Sequence, residues 1–267
     1  VADLGDELKV EDRAHVRALA SLMLGLDAVG VKVAEGAAEA ESDAEESVSE
    51  DRPVPGINDL LESPLWGRCG FFGAGGAGDD LLAQFRGGGV LAVKCLAYLL
   101  RGRHRAYGAA LAAQLALEGE ELPLPLLSVN LVRILAELFG LSRTPSTPEV
   151  SLSTISRSPS WGLLDHPYAI EELFCLGAIV FRTTRLLRGA GANPALFETR
   201  EKMQWIMAHQ LPARPSVRRC WHLWRDMRAR DEATQPNPNP NPNSNPNPNP
   251  NPNPNPNPNP NPNPNPN

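Results

Sequence analysis

Apolar residues recur every three or four positions through most of this chain, and that spacing predicts helices. Val16, Leu19, Leu22, Met23 and Leu26 predict a helix within 11–29. Residues 88–101 carry Val90, Leu91, Val93, Cys95, Leu96, Leu99 and Leu100, apolar on every side, which predicts a buried helix. Alanine and leucine dominate 105–117, and both are strong helix formers. Leu127, Leu131, Ile134, Leu135, Leu138 and Phe139 mark a helix in 126–141, and Ile170, Leu173, Phe174, Gly177, Phe181, Thr184 and Leu187 mark a long one. A further helix over 194–211 is opened by Asn193 as N-cap and Pro194 at the first helical position. No stretch alternates with period two between hairpin turns. The fold class is therefore all-α, a compact multi-helix domain.

The interruptions set the organisation. Val33 to Asp51 holds eight acidic residues and no basic one, with Ala, Gly and Ser between them, the composition of a disordered linker. Residues 142–160 are rich in Ser, Thr and Pro and read as a loop. From 236 to 267 the chain alternates Asn and Pro, broken once at Ser244. Proline lacks an amide donor and pushes its predecessor toward extended backbone, and this tail has no apolar side chain to bury. It is expected to be disordered and dispensable. The expected divisions are an N-terminal helical segment (1–30), an acidic linker (31–56), the helical domain (57–211), a basic amphipathic helix (212–235) and the Asn-Pro tail.

Composition narrows the chemistry. A net charge of −6 without a dominant basic region argues against nucleic acid as a partner. Cys69, Cys95, Cys175 and Cys220 are far apart, so neither a zinc site nor a disulfide framework is signalled, and a reducing compartment is the simple reading. The histidines form no metal-binding pair, no metal or other cofactor is signalled, and no apolar run reaches the ~18 residues that span a bilayer. Gly73, Gly75 and Gly78 spell GxGxxG, and Gly89 to Lys94 superficially looks like part of a kinase nucleotide site. Both patterns need flanking strands that 57–72 does not offer, so the glycines read as a loop and Lys94 as a snorkelling edge residue.

The densest chemistry lies at Phe85-Arg86-Gly87-Gly88-Gly89, directly before the buried helix at 90–100. One arginine stands between an aromatic residue and a glycine cluster, which suits a guanidinium held at the mouth of a packed helix. Two roles fit Arg86: capping or pairing inside the domain, or contact with a phosphate or partner outside it.

Trp66, Gly70, Phe71, Phe85-Arg86-Gly87, Gly89, Leu91, Leu96 and Tyr98 resemble the signature of the ELMO (engulfment and motility) domain. The likeness continues through Leu126-Leu127-Ser128-Val129-Asn130-Leu131 and the segments around 173–187 and 197–202, covering about 57–211. Here Gln84 stands where the family has aspartate, Phe72 where it has glutamine, and a glycine-rich insertion ending at Asp79-Asp80 replaces its Pro-x-Thr element. The resemblance implies an all-helical fold and, for members consisting of this domain alone, GTPase-activating action on Arf-family small G proteins. It assigns Arg86 as the catalytic arginine finger, with Trp66, Gly70, Phe71, Gln84, Phe85, Gly87 and Gly89 as partner-binding or motif residues. Tyr98 and Asn130 are expected to be structural, Asn130 with a buried hydrogen-bond partner. The alternative function is a non-catalytic ELMO-type scaffold that binds a G protein or another partner.

Val217, Trp221, Trp224 and Met227 share one helical face within 214–230, ringed by Arg214, Arg218, Arg219, Arg225, Arg228 and Arg230. Two readings fit: peripheral contact with an anionic membrane, or a last helix packing its tryptophans on the domain. The expected location is cytoplasmic, with a peripheral membrane fraction.

Overall fold

The computed structural model describes residues 9, 12–34, 61–64, 66, 82–118, 122–141, 159–210 and 215–234. Gly70, Phe71, Phe72, the 73–78 glycines, Asp79, Asp80, Arg214, the Asn-Pro tail and most of the acidic stretch lie outside them. The described helices are α1 (Arg13–Ala34), α2 (Gly89–Arg101), α3 (Arg105–Glu118), α4 (Leu124–Leu138), a 3-10 helix (Pro159–Asp165), α5 (Ala169–Arg188), α6 (Ala192–Ala208) and α7 (Val217–Thr234). There is no strand among the described residues, so the fold is all-α as the periodicity predicts.

Two helices form the centre. α2 is buried on nearly every side and packs against α1, α3, α4 and α5; α5 in turn carries α4, α6 and α7. Leu96, Leu99 and Leu100 of α2 share one core with Leu19, Leu22 and Leu26 of α1, Leu131 of α4 and Phe174 and Phe181 of α5. Each such side chain contributes about 1.5–3 kcal/mol by leaving water. α1 sits close because Gly25 has no side chain: a Cβ there would lie 2.9 Å from Leu100 Cβ. Its last turn, 31–34, also takes the start of the expected linker into helix.

Local chemistry moved some boundaries. α6 starts at Ala192, with Gly191 as its N-cap. Asn193 is thus not the cap, and Pro194 falls inside the first turn, where its missing amide hydrogen has no helical partner to lose. The 3-10 helix at 159–165 takes the last two residues of the stretch read as loop, Pro159 and Ser160, and runs on through Trp161 to Asp165, where no element was expected. α7 is capped by Ser216, whose Oγ accepts the Arg219 amide at 3.2 Å.

Candidate functional site

The chain enters α2 through a tight turn made by the glycines. The Gly88 and Gly89 amides both donate to the Phe85 carbonyl, at 3.1 and 2.8 Å. Closing that turn sends the backbone through the left-handed region at Gly87 (φ 88°) and again at Gly89 (φ 53°), which L side chains resist. Gly88 lies flat against α4, where a Cβ would stand 3.2 Å from Val129 Cα and 2.9 Å from Ala92 Cβ. The turn fixes two neighbours in opposite directions. Phe85 is driven into the core, 1% exposed, while Arg86 is exposed. Among the described residues, none pairs with or hydrogen-bonds to the Arg86 guanidinium. Its five N–H donors are therefore available to anionic oxygens.

The other motif residues divide by burial. Trp66 is fully buried and belongs to the same core as Phe85, so these two side chains hold the fold and offer a partner no surface, contrary to the partner-binding role expected of them. Gln84 is half-buried. Asn130 departs from expectation: it is half-buried at the edge of α4, and its Nδ2 donates to the Leu126 carbonyl one turn back, at 2.9 Å. A local bond satisfies it, so no core partner is required.

A second polar cluster lies at the far end of α2. Glu172 on α5 is 1% exposed, and its carboxylate is surrounded by donors. Tyr98 Oη donates to Oε1 at 2.6 Å; Arg103 Nη2, His104 Nε2 (3.1 Å) and Trp221 Nε1 (3.2 Å) converge on Oε2. His104 also stacks on the Trp221 ring, with centroids 4.8 Å apart. Burial opposes ionisation of this carboxyl, yet the bonds from His104, Arg103 and Tyr98 outweigh it and hold the pKa down to about 2. The same burial and the bond to Glu172 push the Tyr98 hydroxyl well above its usual range. Reading residue by residue missed this cluster. The signal was present: a glutamate one residue before the buried run Leu173 to Phe181 requires partners.

Comparison with protein families meets this geometry directly. The ELMO/CED-12 family matches residues 7–187, which include the Arg86 turn, Glu172 and three of the four residues around it. The chain belongs to the ELMO/CED-12 family. No curated protein and no solved structure gives a match. The ELMO match begins before α1, in keeping with the packing of that helix on α2. It ends at 187, so α6, α7 and Trp221 lie beyond it.

α7 nonetheless completes the ELMO-type core. Val217, Cys220 and Trp224 are buried, and Lys202 of α6 both sits 5.6 Å over the Trp224 ring and pairs with Asp231 at 2.7 Å. Of the two readings of this helix, the packing of its tryptophan face on the domain is the one seen: Trp224 is buried, and Trp221 and Met227 are half-buried. What α7 offers outward is charge, at Arg218, Arg225, Arg228 and Arg230. Among the described residues no helix is long and apolar enough to cross a membrane.

Proposed function

We propose that this ELMO-type module is a cytoplasmic GTPase-activating protein for Arf-family small G proteins, with Arg86 as the arginine finger. The observation that carries the reading is the Arg86 turn: a guanidinium held outward beside a buried anchor, without a partner among the described residues. GTP hydrolysis builds negative charge on the transferring phosphoryl group and the leaving oxygen, and an arginine inserted in trans neutralises it. The glycines after Arg86 carry no side chains to hold a partner's surface away. Partner and membrane meet naturally here, because exposed arginines on α7 can attract an anionic surface by charge, with no insertion of Trp224.

Single-turnover GTP hydrolysis by Arf-type proteins, with the full chain or its Arg86→Lys variant, tests the proposal. Stimulation by the native chain should fall about 10³-fold or more with lysine, which cannot supply the planar bidentate fork. Full stimulation by Arg86→Lys would refute the finger. The scaffold reading, favoured by Gln84 and Phe72 in place of the family's residues, expects complex formation with no stimulation by either protein.

A further inference from the structure

Beyond the Glu172 cluster the structure opens a cavity of about 800 Å³. Its walls come from three places: Arg103 and His104 in the α2–α3 turn, Asp165 and His166 at the end of the 3-10 helix, and the first turns of α7. On α7, Arg218, Trp221, His222 and Arg225 line it at three-, one- and three-residue steps, a single helical face. The volume is that of a small-molecule site. Three arginines and three histidines face one carboxylate, Asp165, around the opening. Glu172 neutralises part of this charge from below, but only Nη2 of Arg103 is bound to it. His222 Nδ1 accepts from Arg225 Nη2, so that guanidinium is oriented too.

We propose that this cavity binds a small, multiply phosphorylated polyol ring, carried free or as a lipid headgroup. Arginines from two separate walls suit more than one phosphate, since each guanidinium can grip an anionic oxygen pair bidentately. Asp165 repels phosphate but accepts from a hydroxyl, and Ser216 and the histidines also match hydroxyls. His104 covers one face of the Trp221 indole, which leaves charge and hydrogen bonding as the main means of recognition. The Glu172 network fixes Arg103, His104 and Trp221 in place before a ligand arrives. The site does not depend on the reading of Arg86: it lies past the opposite end of α2, 13 residues or about 20 Å away.

Titration calorimetry of the full chain with inositol trisphosphate tests it, with inorganic phosphate as the minimal probe. Saturable binding of one inositol trisphosphate per chain is expected, weakened about tenfold or more by combined Arg218→Gln and Arg225→Gln as charge-assisted bonds are lost. Arg228→Gln with Arg230→Gln, on the same helix but outside the cavity, should leave binding unchanged, as should Arg86→Ala. No binding, equal loss with the Arg228/Arg230 pair, or inorganic phosphate binding as tightly as the inositol ligand would each overturn the proposal. Phosphatidylcholine vesicles with and without phosphatidylinositol bisphosphate separate the sources. Vesicle binding that free inositol trisphosphate competes away identifies a lipid headgroup, and free-ligand binding with no vesicle response identifies a soluble molecule. Vesicle binding that the free ligand does not displace assigns the contact to surface charge and overturns the cavity.

Discussion

Helix α2 has an arginine just outside each end, and the two are held in opposite ways. Arg103 is tied to a buried carboxylate shared with Tyr98, His104 and Trp221. Arg86 is set outward by glycine geometry, with nothing described pairing with it. At one end the fold consumes its polar groups internally; at the other it uses glycines, which take positive φ without steric cost, to turn a cation outward. An exposed cation with no described partner is free to meet a ligand, whereas a satisfied buried charge is first a matter of structure.

Breaking each end should therefore give different kinds of damage. The largest effect is expected from Glu172→Ala, which orphans Tyr98, Arg103, His104 and Trp221 at once; it should cost about 3–5 kcal/mol in urea unfolding. Glu172→Gln should cost less, because an amide oxygen still accepts from two or three donors. Arg86→Lys should do the reverse, lowering hydrolysis stimulation about 10³-fold while stability stays within ~0.5 kcal/mol of native. Matching losses of stability from Arg86→Lys and Arg103→Gln would erase the contrast.

Acid sharpens the same comparison. Glu172 has a folded pKa of about 2 against an ordinary 4.5, so its contribution is complete above about pH 4.5 and is lost as pH falls toward 2. Native chain should lose on the order of 3 kcal/mol across that window, and Glu172→Gln should lose that much less of it. Parallel stability curves for the two proteins would show that the carboxylate is not the group responsible. The smallest effects belong to the turn. Gly87→Ala has room for its Cβ, with Val129 Cγ1 3.8 Å away, so it should cost only the ~1–2 kcal/mol of a left-handed backbone. Gly88→Ala meets Val129 and Ala92 directly and should cost about 1–3 kcal/mol by overpacking. If thermal unfolding ranks Gly87→Ala the worse of the two, the seating of the turn on α4 is wrong.

The sequence made some of this legible and not the rest, for physical reasons. Helix positions follow from side-chain periodicity, a local property, so α2, α4 and α5 could be read directly from Leu96, Leu131 and Phe181 and their neighbours. The glycines around Arg86 are likewise local, because their backbone angles follow from the absence of a Cβ. Burial is not local. Asn130 looked like a core residue until the packing of α4 put it at an edge. Glu172 draws its partners from 49 to 74 residues away, a relation no spacing rule contains. The 3-10 helix was invisible because its seven residues, with only Trp161, Leu163 and Leu164 apolar, are too few to show a helical period.

The indole of Trp221 also settles where a usable fragment of this protein can end. A polypeptide cut at residue 187, the limit of the family match, would lack one of the donors to Glu172 and the helix that seats Trp224. A cut at 211 would remove the same helix. Recombinant work on the module is best carried through residue 234, and shorter pieces should be recovered as aggregates or protease-sensitive chains.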